Sequence, residues 1–184
     1  MFFKRQIDLR EVARIFEKKL RKIKVLAFDV DGILTTGHIR FEGEEMGWNR
    51  STHTRDGYMF KELMRQGFKV GVITGGDSPS VIKRFKENLK LDFVYSGNED
   101  KRQSYKKLKD QGHSDEEILY MGDEFFDLPL LKRCGFSATV PEASVEICEK
   151  VNYVTELSGG MGAAREVMDL FRYANGIEVE MKDF

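Results

Sequence analysis

The chain has 184 residues, of which 41% are hydrophobic and 33% charged, a balance typical of one soluble globular domain with a sizeable core. Thirty Lys and Arg residues nearly cancel 31 Asp and Glu residues, and the net charge of −1 gives no broad electrostatic attraction to nucleic acid or to anionic membranes. No apolar run could span a bilayer, and the charged N-terminal segment does not resemble a secretory signal, so we expect a cytoplasmic protein.

The first third of the chain predicts a helix, a buried strand and a hairpin. Apolar residues over 7–20 fall on one stripe, which predicts an amphipathic N-terminal helix. The apolar segment 23–29 predicts a strand that is buried on both faces of a sheet. Residues 38–54 alternate unevenly around Gly43 and Gly47, and this pattern predicts a β-hairpin that projects from the body of the protein.

Beyond the hairpin, strand and helix patterns alternate. A helix over 57–66 is expected to end at Gly67. The expected strands span residues 68–74, 91–96, 118–122, 136–140 and 152–155. The expected helices span residues 78–89, 99–110, 125–133, 142–150 and 162–174. This alternation predicts a three-layer, Rossmann-like α/β fold with a parallel sheet, in which ligands bind beyond the carboxyl ends of the strands.

Two carboxylates follow the first predicted strand. Asp29 and Asp31 lie two residues apart, so on an extended chain they point to the same side, and their charges favour a cation between them. One carboxylate can attack phosphorus to form an aspartyl phosphate, while the other acts as general acid and then as general base. A solvated turn is an alternative. A calcium loop is another, although Ile33 and Thr35 stand where such a loop needs oxygen ligands or a second acid.

Three further strand ends carry residues that suit a phosphoryl group. Thr74 and Gly75 can donate hydrogen bonds from a hydroxyl and from the backbone, although a helix N-cap is the alternative. Lys101 can neutralise phosphate charge, although most lysines are simply solvated. Asp123 and Asp127 offer oxygen ligands for magnesium, with helix capping as the alternative. Because the carboxyl ends of parallel strands share one edge, we expect these groups to converge.

The order Asp-x-Asp, Thr, Lys and Gly-Asp-x-x-x-Asp resembles the four motifs of the haloacid dehalogenase superfamily of phosphotransferases. The resemblance implies that Mg²⁺ is held by Asp29, by the backbone carbonyl of Asp31 and by Asp123. It also implies that Asp127 orients the site from behind these ligands.

A closer resemblance is to the capless phosphatases that act on 3-deoxy-D-manno-octulosonate 8-phosphate. It is carried by the stretches AFDVDGILTTG, TRDGYMFKELMRQGFKVGVITG, GDEFFDLPLLKRCGFSATV and YVTELSGGMGAAREVMDL. The resemblance implies a phosphatase of lipopolysaccharide biosynthesis without a cap domain, and a homotetramer whose hairpins form a shared barrel. It implies that Arg55 and Gly57 lie near the substrate together with Gly75, although a surface ion pair between Arg55 and Asp56 is an equal alternative.

The resemblance also divides the chain. It covers residues 23–175, which we expect to form the phosphatase domain. Residues 1–22 are then an N-terminal helical extension, and residues 176–184 are a C-terminal tail.

Three positions depart from the family pattern, and they leave the substrate open. Gly76 and Met161 stand where the family often has arginine, and Met59 where it often has glycine. Arginine binds carboxylate and phosphate in a bidentate manner, so the loss of two arginines keeps a nine-carbon sugar acid phosphate or another small phosphoester as alternatives. A non-catalytic phosphatase-like oligomeric module and a signalling receiver are further alternatives. A receiver, however, needs its reactive aspartate after the third strand, where this chain has Ser96 and Gly97.

Overall fold

The computed structural model of the protein describes residues 7–45 and 47–179. A parallel sheet consists of the strands β1 (Val25–Phe28), β4 (Lys69–Ile73), β5 (Phe93–Tyr95), β6 (Ile118–Met121), β7 (Phe136–Thr139) and β8 (Tyr153–Val154). Their order across the sheet is β5-β4-β1-β6-β7-β8. All six expected strands are confirmed, each slightly shorter than expected. The chain runs outward from β1 through β4 to β5 and then returns to the other side of β1, so the carboxyl end of β1 lies at the topological switch point.

Helices cover both faces of this sheet. They are α1 (Leu9–Ile15), α2 (Glu17–Leu20), α3 (Thr54–Arg65), α4 (Pro79–Val81, continued by a π-helical segment Ile82–Asn88), α5 (Lys101–Asp110), α6 (Leu128–Leu131), α7 (Val145–Cys148) and α8 (Ala163–Ala174). Alternate residues of β1 separate two cores, because successive side chains of a strand point to opposite faces. Leu26 and Phe28 pack with α1, α3 and α8. Val25 and Ala27 pack with α5, α6 and α7. The expected three-layer α/β fold is therefore confirmed.

The N-terminal helical segment packs against the last helix. Leu9 and Ala13 of α1 are buried in the same core as Phe171 of α8. The helix expected over 7–20 is interrupted at Phe16, whose ring meets that of Phe136 edge-on at 5.2 Å. The division into an extension, a domain and a tail stays a prediction, and residues 1–6 and 180–184 lie outside the described residues.

The segment between β1 and α3 holds the expected hairpin. Strands β2 (Arg40–Phe41) and β3 (Trp48–Asn49) pair in an antiparallel manner. The rings of Phe41 and Trp48 lie 5.3 Å apart, and both side chains are about half exposed. Within the described part of this segment no other element occurs, so no cap domain interrupts the chain here. None of the helices in the described ranges has the length and apolar character needed to cross a bilayer.

Several helix boundaries differ from those expected. Helix α3 begins at Thr54 and not at 57, because the His53 side chain accepts a hydrogen bond from the Arg55 backbone N–H and caps the helix there. The helix expected over 142–150 is reduced to Val145–Cys148. The first difference matters for the site, since it puts Arg55 in the first turn of a helix.

Candidate active site

A buried lysine joins two of the predicted loops at the carboxyl edge of the sheet. Asp29 directly follows β1, and Lys101 is the first residue of α5, capped by Asp100. The Lys101 Nζ lies 2.8 Å from Asp29 Oδ1 and 2.6 Å from Asp127 Oδ1. The Lys101 side chain is 0% exposed, so its ammonium group has no contact with bulk water, and the two carboxylates balance its charge. A lysine at a helix N-terminus is unfavourable because the helix dipole is positive there, and the two carboxylates offset this effect.

Asp127 orients this lysine and the loop after β6. Its Oδ1 accepts hydrogen bonds from Lys101 and from the hydroxyl of Tyr120 at 2.6 Å. Its Oδ2 accepts from the backbone N–H groups of Asp123 and Glu124 at 3.2 and 3.1 Å. With four donors, this carboxylate has its lone pairs occupied. Asp127 therefore holds Lys101 and the loop after β6 in place, and it has no free lone pair with which to bind a ligand.

Three carboxylates meet beside this lysine. Asp29, Asp123 and Asp127 each offer an oxygen within 4.8 Å of the others. Burial raises the pKa of Asp29 well above its ordinary value, and burial together with the charge of Asp127 raises the pKa of Asp123 to about 7. Asp123 Oδ1 is buried and has no hydrogen-bond partner among residues 7–45 and 47–179. Three carboxylates against one ammonium group leave two negative charges unbalanced, which suits a divalent cation with oxygen ligands.

Glycine at position 32 brings the first loop against Asp123. Gly32 has a φ of +84°, and a Cβ there would lie 2.0 Å from Asp123 Oδ2. A side chain at this position would therefore both strain the backbone and displace the carboxylate. Only glycine lets the backbone beside Asp31 approach the acid cluster this closely.

The Asp31 carboxylate lies outside that cluster. Its Oδ1 is 2.6 Å from Arg50 Nε, and its Oδ2 accepts a hydrogen bond from Arg50 Nη2 at 3.1 Å. The acid cluster that could hold a cation thus includes the carboxylates of Asp29 and Asp123 but not that of Asp31, whereas the sequence pattern favoured a cation between those of Asp29 and Asp31. The reason is that the chain turns directly after β1, so the two side chains no longer share one face.

The loop after β4 places Thr74 near Asp31. Thr74 is buried, and its hydroxyl accepts a hydrogen bond from the Gly76 backbone N–H at 3.1 Å. A Cβ on Gly76 would lie 3.4 Å from Asp31 Oδ2 and 3.6 Å from Thr74 Oγ1. Gly75 faces the next loop, where a Cβ would lie 3.2 Å from Glu99 Cγ. The structure therefore brings Asp29, Thr74, Lys101 and Asp123 to one edge of the sheet.

Arg55 and Gly57 occupy different surroundings from these groups. Arg55 is exposed, and its guanidinium makes no contact with the acid cluster among the described residues. Its ion pair with Asp56 is not formed, because the Asp56 carboxylate turns inward and accepts a hydrogen bond from the Arg165 backbone N–H at 2.9 Å. Gly57 is buried, and a Cβ there would lie 2.7 Å from Arg84 Nη2.

Three residues at the site were not predicted from the sequence. Arg50 reaches Asp31 from the foot of the hairpin, and Tyr120 donates its hydroxyl hydrogen to Asp127. The Phe126 ring lies over Lys101, with its centroid 4.5 Å from Nζ. A sequence signal existed only for Tyr120, which stands on a predicted strand just before the acidic loop.

Comparison with known proteins places these features in a family. Residues 93–166 match the haloacid dehalogenase-like hydrolase family. The 3-deoxy-D-manno-octulosonate 8-phosphate phosphatase of Haemophilus influenzae is 34% identical over 163 residues, which are 87% of this chain and 88% of that protein.

Solved structures agree with this assignment. A haloacid dehalogenase superfamily hydrolase of subfamily III A from Legionella pneumophila is 36% identical with a TM-score of 0.84, covering 90% of this chain and 91% of that one. The 3-deoxy-D-manno-octulosonate 8-phosphate phosphatase of Moraxella catarrhalis, solved with a magnesium ion, a phosphate ion and the sugar acid, is 30% identical with a TM-score of 0.81, covering 88% and 92%. The chain therefore belongs to the 3-deoxy-D-manno-octulosonate 8-phosphate phosphatase family of haloacid dehalogenase-like hydrolases.

Proposed function

We propose that the protein is a magnesium-dependent phosphatase that hydrolyses 3-deoxy-D-manno-octulosonate 8-phosphate through an aspartyl phosphate on Asp29. The observation that carries this proposal is the cluster of Asp29, Asp123 and Asp127, two of which contact the buried ammonium group of Lys101. Family membership supports the choice of sugar acid, because relatives that match over most of their length act on this phosphoester.

The chemistry of the donors supports magnesium as the cofactor. Asp29, Asp123 and the backbone carbonyl of Asp31 would hold Mg²⁺, and Asp123 contributes the buried oxygen that has no partner in the described residues. When bound, the ion supplies positive charge to the phosphoryl oxygens and screens the nucleophile from them. Asp127 would keep Lys101 and the backbone of Asp123 in place, since its lone pairs are already occupied.

The reaction follows from the roles that these side chains can take. An oxygen of Asp29 attacks phosphorus, the bond from phosphorus to the sugar oxygen breaks, and Asp31 gives its proton to that oxygen. Water then attacks the same phosphorus, Asp31 takes the proton from the water, and the bond between phosphorus and the Asp29 oxygen breaks. Thr74 and the Gly75 N–H would donate hydrogen bonds to the phosphoryl oxygens, and Lys101 would stabilise their charge.

A phosphate-release assay tests the proposal. We expect hydrolysis of the eight-carbon sugar acid phosphate in Mg²⁺, at least about tenfold faster than hydrolysis of a nine-carbon sugar acid 9-phosphate, because a pocket that fits one sugar loses contacts with another. Excess EDTA should abolish both reactions.

The Asp123→Asn variant should need a far higher Mg²⁺ concentration for activity, because the substitution removes one carboxylate ligand. Undiminished turnover in EDTA would contradict the metal assignment, and preference for the nine-carbon substrate would contradict the sugar assignment.

We further propose that the protein is cytoplasmic and assembles as a homotetramer through its hairpin. Ile39, Phe41 and Trp48 expose 52%, 49% and 53% of their surfaces on this small element. Large apolar side chains grouped on a projecting hairpin favour burial against another chain, and identical copies are the simplest partners.

A further inference from the structure

Arg50 is an unusually buried cation at the edge of the active site. Its side chain is only 8% exposed, although it comes from the end of an exposed hairpin. The guanidinium contacts both oxygens of Asp31, and Nη1 also donates to the hydroxyl of Ser78. The Nε–H is not aligned for a hydrogen bond with any acceptor in the described part of the chain. The guanidinium is therefore neutralised by Asp31 but still has donor capacity to spare.

The absence of a side chain at residue 76 makes room for this guanidinium. A Cβ on Gly76 would lie 3.5 Å from Arg50 Nη2 and 3.4 Å from Asp31 Oδ2. Any longer side chain there would compete with Arg50 for the same space. The hairpin, and not the loop after β4, thus supplies the arginine that lies between Asp31 and Ser78.

Arg50 also lines a cavity that opens next to it. It has a volume of about 420 Å³ and is lined by three cations, namely Arg50, Lys83 and Arg84, and otherwise by uncharged residues. Arg84 Nε is buried and has no hydrogen-bond partner in the described ranges. A cavity with three cations and no carboxylate in its lining favours an anionic occupant.

We propose that Arg50 exchanges partners during catalysis. Its guanidinium moves away from Asp31 and binds the carboxylate of the substrate's sugar acid. This inference rests on the proposed function, in which Asp31 must contact the oxygen of the leaving group. Arg50 contacts Asp31 and also lines the cationic cavity, so a substrate that brings its own carboxylate offers the guanidinium a second bidentate partner. The exchange removes the guanidinium from both oxygens of Asp31, and the Thr35 hydroxyl, 3.4 Å from Oδ1, stays as a hydrogen-bond donor to Asp31. A phosphoester without a carboxylate must instead react while Arg50 stays on Asp31. Arg50 is thus a residue that determines specificity for acidic substrates.

The test compares two substrates in Mg²⁺ across variants of the full chain. The value of kcat/KM is measured for 3-deoxy-D-manno-octulosonate 8-phosphate and for p-nitrophenyl phosphate, which lacks a carboxylate. Arg50→Gln should lower the first value roughly 10- to 100-fold, the usual effect of losing a hydrogen-bonded charge pair. The second value should fall less than the first, so that the ratio of the two values drops by at least about tenfold, because only the first substrate has a carboxylate for the guanidinium to bind. Arg50→Lys should fall between, since an ammonium group keeps the charge but not the bidentate geometry.

Arg133→Gln is the matched control, because Arg133 forms an exposed ion pair with Asp115 at the opposite edge of the sheet. It should leave both values and their ratio unchanged. An equal fall for both substrates in Arg50→Gln would show a structural role and overturn the inference, as would an unchanged ratio. A wild type that hydrolyses p-nitrophenyl phosphate but not the sugar acid phosphate would instead overturn the proposed function itself.

Discussion

Asp29→Asn is expected to lower turnover by at least about 10⁴-fold, the scale on which loss of a nucleophile acts in other hydrolases. The amide oxygen is a poor nucleophile, and an amide is a weak ligand for a cation. The protein should stay folded, because asparagine has nearly the same shape as aspartate and Asp127 still pairs with Lys101. Burial already raises the pKa of Asp29, so a neutral side chain is tolerated there. The measurement is steady-state phosphate release together with the melting temperature in EDTA.

Asp110→Asn is the matched control for this substitution, since Asp110 is exposed at the end of α5. It should leave both the rate and the melting temperature unchanged. Steady phosphate release by Asp29→Asn at more than a trace of the wild-type rate would exclude Asp29 as the nucleophile.

Lys101→Met is expected to damage both stability and turnover. Methionine nearly preserves the volume of the lysine, but it leaves the carboxylates of Asp29 and Asp127 buried without a cation. Breaking a buried ion pair by removing one partner typically costs about 3–5 kcal/mol of the free energy of unfolding. Turnover should fall roughly 10²- to 10³-fold, because the phosphoryl charge loses a preorganised ammonium group. Urea unfolding in EDTA measures the first effect, and phosphate release in Mg²⁺ the second.

Adding Asp127→Asn to Lys101→Met should restore part of the lost stability, since it removes one of the two uncompensated charges. Lys106→Met, on an exposed position of the same helix, should change neither property. If Lys101→Met were as stable as wild type, the lysine would not be compensating the two carboxylates.

The layers and the parallel sheet follow from local patterns in the sequence. Fully apolar runs such as Val25–Phe28 are typical of strands covered on both faces, and the alternating helices dictate a parallel sheet. Helix ends were less predictable, because they depend on single side chains. His53 caps α3, which begins three residues before the predicted start, and histidine is not among the residues that commonly signal a helix N-terminus.

Some contacts at the site could be predicted from the positions of residues along the sequence, and others could not. Convergence of Asp29, Thr74, Lys101 and Asp123 could be predicted, because strand ends in a parallel sheet share one edge. The contact between Arg50 and Asp31 could not, since it joins residues 19 positions apart through a hairpin whose direction no local pattern fixes. The direction of the Asp31 side chain was also out of reach, because it depends on a turn that begins directly after β1.

Chemical trapping of the intermediate tests the central claim most directly. Enzyme that is turning over the sugar acid phosphate in Mg²⁺ is quenched in acid and treated with borohydride, which reduces an acyl phosphate to an alcohol. Peptide mass spectrometry should then find homoserine in place of Asp29, and only when both substrate and Mg²⁺ were present. Homoserine at a different aspartate, or none at Asp29 in a sample quenched during a pre-steady-state burst of product, would contradict the account.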